Sequence, residues 1–479
     1  MRMLLMLLTI SVGYPPILEA QSIPPLVSEK CTGCHPLPRP DSMPRHAWTT
    51  VGETMTALMK RADVPIEPEE MDEIVAYYQA NSPVRLEQIR DDYAEPLLNF
   101  GKTSAGMISF DERPKITGVT FTDIDGDGAE DDIVVTDANT NAVTWLRLED
   151  GSWRETVLAT ITDPVDATAV DVDGDGDLDL GVSSMGFLHP TDDLIGEFHL
   201  LLNRGDGTFE HQVLAEGTPR ITGSAAADFD DDGDIDFVLA MFGWRTTGGV
   251  GLLEQTAPGE FAFRTLVDMN GCMQVIANDA NGDELQDFVA LFTQQHEAIV
   301  QFVNRGGGEF DAHYITRARH PAFGSSSIRL HDLDGDGDED ILYTNGDMMD
   351  ENNDTKPYHG VRWLENNGKG GYILHDLAGM PGCYDAEPVD LDDDGDLDVV
   401  ISSLNFRWQD HDFPSLAWLE NTGGFRNFVK RRIAYAPTNM AKIDVGDVDG
   451  DGKPDIVGGG MHVPGPLDRK GRITVWLGR

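Results

Sequence analysis

Three things are scarce in this chain of 479 residues. Cysteine occurs only four times, which excludes a disulfide-stapled scaffold. Lysine and arginine number 35 against 84 acidic residues, for a formal charge of −49. Surfaces that bind nucleic acid or anionic lipid carry the opposite sign, so neither partner is expected. Beyond the first twenty residues no apolar run approaches the roughly 20 residues that span a bilayer, so no transmembrane segment is expected. Glycine is plentiful at 51 and clusters with aspartate, a pairing that marks tight metal-binding loops rather than a disordered acidic tail. At about 150 residues per domain the length would give about three domains, but repeat architectures break that rule.

The N-terminus reads as a signal peptide over residues 1–20. Met1–Arg2 is a short basic start, Met3–Val12 is apolar, and Ala20 suits cleavage. A periplasmic or secreted protein is therefore expected. Next comes Cys31-Thr32-Gly33-Cys34-His35, the C-x-x-C-H signature of c-type haem attachment. Two thiols reach two vinyl groups on one porphyrin edge, and the next residue sets an imidazole under the iron. A thioredoxin-like C-x-x-C wants a βαβ context that is missing. A zinc site wants a second Cys/His pair, and only His46 is close. Downstream, Trp48–Arg61 and Glu67–Tyr78 have helical apolar spacing.

Over about Pro25–Pro83 the chain resembles a class I c-type cytochrome, which implies a small all-α domain holding one covalent haem c. In that family the distal ligand is most often Met. Met55 is the first candidate, Met59 one turn on is the second, and His46 would give bis-His ligation. The Pro38 carbonyl is a candidate partner for the second nitrogen of His35. Residues 84–100 read as a charged linker with room for one helical stretch.

From residue 101 to 479 a unit repeats, D-x-[DN]-x-D-[GE]-x-x-D followed by apolar residues. Seven copies start 48, 57, 51, 53, 58 and 57 residues apart, which marks an array of like units. Positions 1, 3, 5 and 9 offer side-chain oxygens and position 7 a carbonyl, the donor set of a hard cation such as calcium, up to seven ions in all. The side chains are Asp123, Asp125, Asp127 and Asp131, then Asp171, Asp173, Asp175 and Asp179, then Asp228, Asp230, Asp232 and Asp236. The fourth set is Asp279, Asn281, Asp283 and Asp287, where Glu284 replaces the turn glycine and the weakest affinity is expected. The last three are Asp332, Asp334, Asp336 and Asp340, then Asp390, Asp392, Asp394 and Asp398, then Asp447, Asp449, Asp451 and Asp455. An EF-hand would need Glu at position 12, where apolar strand residues such as Val134 and Val182 stand. These windows hold 36 of the 84 acids, so much of the acidity belongs to the loops.

Each unit has an apolar strand into the loop, one out of it, a third often ending in Trp-Leu or Leu-Leu, and a fourth after a Gly-rich hairpin. Four antiparallel strands per about 50 residues make a propeller blade. The last unit ends after its third strand, so Met107–Arg113 is the candidate fourth strand that closes the ring. The units resemble the FG-GAP/VCBS repeats of integrin α-like propellers. The fold class is thus mainly β, a seven-bladed β-propeller with a small N-terminal all-α cytochrome c domain. Cys272 and Cys383 fall at equivalent positions in units four and six and read as buried thiols.

Long loops between strands two and three share the face opposite the metal loops. They carry His189, Asp192, Asp193, Trp244, Arg245, His296, Asp354, Tyr358, His359, Arg407, Trp408, Asp410, His411 and His462. That face is the candidate site for a redox partner protein or a small-molecule or glycan ligand. Three functions fit. One is an electron-transfer cytochrome with the propeller as docking platform. Another is a propeller oxidoreductase on a sugar or alcohol that passes electrons to the haem. The last is a carbohydrate-binding or adhesion propeller.

Overall fold

The computed structural model describes residues 23–33, 35–106, 113–318, 320–349, 356–405, 410, 413–462 and 471–479. The expected signal peptide and Cys34 lie outside them. The chain divides into two compact units, one ending at Val84 and one running from Arg85 to Arg479.

The first unit has helices α1 (Pro25–Cys31), α2 (Ala47–Arg61) and α3 (Pro68–Asn81). Proline just inside α1 and α3 is preset for a helical first turn. At the start of α3, Glu67 N–H donates to Glu70 Oε2 at 2.9 Å and the Glu67 side chain accepts from the Glu70 backbone, a capping box. Val27, Trp48, Met71, Ile74 and Tyr78 form a small core, with the Trp48 and Tyr78 rings stacked at 4.1 Å. Gly52 lets α2 approach α3, since a Cβ there would lie 2.4 Å from Val75 Cγ2.

The second unit is seven four-stranded antiparallel sheets, the seven-bladed propeller expected from the repeats. Blade one is Ile116–Thr122, Asp132–Asp137, Ala142–Glu149 and Ser152–Thr160, and the blades follow in chain order. The second strands are wholly buried, because each lies between two others of its sheet and between neighbouring blades. The first strands border the central channel, and their outward amides meet side chains of the preceding blade. Asp166 Oδ2 accepts from Ser224 N at 3.4 Å, Gln274 Oε1 from Ile328 N at 3.0 Å, Asp385 Oδ2 from Ile443 N at 3.3 Å and Asp444 Oδ2 from Phe121 N at 2.7 Å. Arg329 pairs with Asp385 at 3.2 Å and with Glu387, so the channel acids are partly neutralised.

The ring closes as expected in kind but through another segment. Phe100–Ala105, not Met107–Arg113, is the fourth strand of blade seven, with Phe100 opposite Gly478 and Ala105 opposite Ile473. An outer strand is half exposed and needs little apolar alternation, so FGKTSA suffices. Of the expected segment, residues 107–112 lie outside the described residues. Residues 85–99, read as linker, run along blade six without a helix. Ala94 bridges Arg431, its N–H donating to the Lys430 carbonyl at 2.8 Å, and Lys430 pairs with Asp92 at 2.8 Å. Cys272 and Cys383 open the first strands of blades four and six, and both are buried and free.

Beside the closing blade, Arg472 reaches blade one. It holds Asp137 at 2.8 Å and Glu155 at 2.7 Å; Asp137 is buried and Glu155 half-buried. Removing one partner of a buried ion pair strands the other charge at a cost of about 3–5 kcal/mol. Arg472→Ala is expected to lower the unfolding free energy by about that much, read as a shift of the urea midpoint at unchanged slope.

Candidate functional site

Each metal loop folds around its own acids. In loop one, Asp123 accepts from Asp127 N at 3.0 Å and Gly128 N at 2.9 Å, and Asp127 accepts from Ala129 N at 2.9 Å. The same pattern recurs in loop two, where Asp171 accepts from Asp175 N at 3.2 Å and Gly176 N at 3.0 Å. The turn needs a left-handed residue at position 6. Gly128 has φ +93° and Gly176 φ +98°, whereas in loop four Glu284 takes φ +71°. Carboxylate oxygens converge as a result. One from each of Asp123, Asp125 and Asp127 lies within 4.8 Å of the others, and the same holds for Asp171/Asp173/Asp179, Asp228/Asp230/Asp236, Asp332/Asp334/Asp336 and Asp390/Asp392/Asp394. Such oxygen clusters fit a divalent cation of the calcium type.

The aspartate that opens each second strand has a further role. Asp179 Oδ2 accepts from Val172 N at 2.9 Å and Oδ1 from Asn203 N, on the third strand, at 2.7 Å. Asp236, Asp287, Asp340, Asp398 and Asp455 repeat both bonds. In blade one this residue is Asp132, not Asp131. Asp132 is buried and accepts from Ile124 N and Asp125 N at 3.2 Å each, while Asp131 is only half-buried. Loop one is one residue longer than the others, so the strand-opening aspartate falls one residue after Asp131, which itself lies near Asp127, Asp125 and Asp123. Three of these carboxylates also lie beside an indole, Asp132 by Trp145, Asp340 by Trp363 and Asp398 by Trp418. The three indole N–H groups are buried, and their approach to the carboxylates favours the charged form and so offsets part of the effect of burial.

Burial raises the carboxyls of Asp132, Asp179, Asp340 and Asp455 to about 6 and those of Asp236 and Asp398 to about 7. For most of them, neighbouring loop acids add to the rise. A raised folded-state value means the protonated form is favoured on folding. Without cation, that contribution is full below about pH 4, the unfolded value, and is lost as pH rises through 6 to 7. A bound cation competes with those protons. The gain in melting temperature from calcium over chelator should therefore be larger at pH 7.5 than at pH 5, by differential scanning calorimetry. In loop four, Glu284→Gly relieves a left-handed residue and should stabilise by about 1 kcal/mol, measured as a higher melting temperature.

In the first unit Cys31 ends α1 half-buried, and its thiol is pushed up by that burial. His35 Nδ1 lies 2.8 Å from the Pro36 carbonyl, so Pro36 rather than Pro38 is its partner. Met55 and Met59 on α2 pack, half-buried, against the same core as Cys31. His46 is exposed at the N-cap of α2. Trp48 Nε1 and Tyr78 Oη are buried without hydrogen-bond partners among the described residues.

On the face opposite the metal loops, the residues expected at the rim divide. His189 is exposed, with its ring 5.2 Å from that of Phe187, and Phe187 and Leu194 are 47% and 56% exposed. Asp192 is a structural clamp, accepting from the backbone of Arg245, Thr246 and Thr247 at 2.8–3.1 Å. His296 bonds Asn270 at 3.1 Å. Tyr358 donates to the Ala322 carbonyl at 3.1 Å. His359 is buried, not at the surface, and burial next to Lys356 and Arg362 holds its imidazole neutral. Asp354, Arg407, Trp408 and His411 lie outside the described residues.

The fold and loops define a seven-bladed propeller with aspartate-loop repeats. A family model described as FG-GAP-like repeat matches residues 123–182, 279–343 and 332–401. Each match runs from one aspartate loop through the second strand of the next blade, so the repeated unit of the sequence is the one the sheets display. No curated protein matches the chain. Among the described residues no helix is long and apolar enough to cross a membrane. A propeller of this kind is a binding or docking platform, with its partner unidentified.

Proposed function

We propose that the chain is an exported c-type cytochrome that transfers electrons, with the propeller as a calcium-stabilised docking platform. The observation that carries the reading is the Cys31-x-x-Cys34-His35 run at the end of α1, next to a core flanked by two methionines of α2. The residues fit a covalent haem c. Cys31 and Cys34 would hold the vinyl edges and His35 would be the proximal ligand. With Nδ1 turned to the Pro36 carbonyl, its Nε2 is the nitrogen left for iron. Met55, or else Met59, would supply a soft distal donor, and the unpartnered Trp48 and Tyr78 are donors suited to a haem carboxylate. When bound, such a group takes up and releases one electron. The protein's part is to shield it, fix its ligands and present it to a partner.

Calcium would be held by side chains at loop positions 1, 3, 5 and 9, with Asp132 in that last role for loop one. A hard dication there neutralises crowded carboxylates and fixes first strand to second. The face opposite the loops, with exposed Phe187, Leu194 and His189, is the proposed docking surface for a redox partner. An export signal over 1–20 places the protein in the periplasm or outside the cell.

Expression with a haem-maturation system, followed by intact mass and reduced-minus-oxidised spectra, tests the reading. One haem per chain is expected, lost in the double variant Cys31→Ala/Cys34→Ala. Mature protein without added mass would overturn it. Met55→Ala is expected to change the low-spin spectrum and lower the potential. An unchanged spectrum moves the distal role to Met59 or His46.

A further inference from the structure

Two buried asparagines connect metal loops of different blades. Asn203, at the end of the third strand of blade two, is 4% exposed. Its Nδ2 donates to the Ile124 carbonyl in loop one at 3.0 Å and to the Leu178 carbonyl in loop two at 3.2 Å. Its Oδ1 accepts from Gly205 N at 3.1 Å, which fixes the amide plane. Asn304 in blade four repeats this between loops three and four, with Nδ2 at 2.8 Å from the Phe229 carbonyl and 2.9 Å from the Gln286 carbonyl, and Oδ1 accepting from Gly306 N at 2.8 Å. The acceptor residues are placed alike. Ile124 and Phe229 stand between the position 1 and position 3 acids of their loops, while Leu178 and Gln286 immediately precede the position 9 acids.

Among the described residues, the matching positions of blades three, five, six and seven lack the bridge. Asn366 and Asn421 donate only to their own loops, at the Glu339 and Leu397 carbonyls, and Gln255 reaches only the Ile235 carbonyl. The last blade has Gly478 at the matching place, with no side chain to bridge. The loops are therefore not seven equal sites around a ring. Two neighbouring pairs share one amide group each.

We infer that Asn203 and Asn304 are positioning residues that couple cation binding within two loop pairs, one–two and three–four, while loops five to seven bind without such a bridge. This rests on the reading that the loops bind calcium. A cation that draws Asp123 and Asp125 together shifts the peptide between them, and with it the Asn203 amide. The amide in turn sets the peptide entering Asp179. Asn203 also donates its backbone N–H to Asp179 Oδ1 at 2.7 Å, so both its backbone and its side chain meet loop two. Coupling through one buried amide should be modest, about three- to ten-fold in affinity.

The test uses the full chain with terbium as the probe. Trp145 lies against Asp132 but also packs in the cluster that includes Leu178 beside loop two, so the terbium signal lost in both Trp145→Phe and Asp125→Asn is assigned to loop one. Asp171→Asn weakens loop two. In the otherwise native chain it is expected to lower loop-one terbium affinity about three- to ten-fold. In the Asn203→Ala background the same change should leave loop-one affinity unmoved, whereas Asn366→Ala should preserve the coupling. Asn203→Asp, which keeps the acceptor for Gly205 but removes both donors, replaces Asn203→Ala if that variant does not fold. Loop-one affinity indifferent to Asp171→Asn would overturn the coupling while leaving the cation sites standing. Coupling that survives loss of the Asn203 donors would overturn the role of Asn203. No terbium or calcium bound to the native chain would overturn both the cation reading and the coupling.

Discussion

One carboxylate per blade carries much of this architecture. In blades two to seven the aspartate that opens the second strand is held by amides at both ends, one from the loop before it and one from the far end of the third strand. It ties three strands of a sheet at a single buried point. Hydrogen bonds to a charged acceptor are worth about 1.5–3 kcal/mol each, but the same burial makes the charge costly when it has no counter-ion. The two effects meet at one atom group, so the loop that supplies further acids is also the loop that benefits most from a cation. The chain's acidity follows from this repeated arrangement and does not need an acidic function.

The same device, side-chain oxygen to backbone amide, solves the other weakness of a propeller. First strands present an unpaired edge to the central channel, where pairing with another strand is impossible. Asp166, Gln274, Asp385 and Asp444 each cap an amide of the next blade. Because these side chains come from one blade and act on the next, they join blades as well as cap edges. Arg329 then offsets part of the charge that such caps accumulate. The outer edges are treated differently. Blade six is covered by residues 85–99, and blade seven takes its outer strand from the N-terminal end of the unit. The ring is thus sealed at the seam by backbone pairing and, beside it, by the Arg472 ion pairs.

What the sequence displays and what it conceals follow from these forces. Loops with fixed acid spacing are legible because side-chain chemistry is written directly in residue types, and seven copies make the period plain. A one-residue insertion in loop one hides from that spacing that Asp132, not Asp131, opens the second strand of blade one. An outer strand is held by backbone pairing to a neighbour far off in sequence, so Phe100–Ala105 carries no strong pattern, and a more apolar segment nearby looked the better strand. Asn203 and Asn304 were invisible for a related reason. Asparagine at a strand end reads as an ordinary turn residue, and only the fold shows that its amide reaches another blade's loop. His359 looked like a rim residue because loops are usually exposed, yet tertiary packing buried it.

The first unit poses the opposite problem, of a motif with strong chemistry on a slight scaffold. Its core has five buried side chains, and ten more apolar residues are packed around them only half-buried, among them Cys31, Met55 and Met59. So small a unit has little apolar area to set against the entropy of ordering its chain. Domains of this size normally gain stability from a disulfide, a metal or a bound apolar group. A disulfide across Cys31 and Cys34 would close too short a loop to help, because the stabilisation grows with the length enclosed. A large planar group fixed through those thiols would instead extend the core over Met55 and Met59 and bring Trp48 Nε1 and Tyr78 Oη within reach of acceptors. On the proposed reading, the half-buried side chains of Cys31, Met55 and Met59 would be the wall that such a group covers.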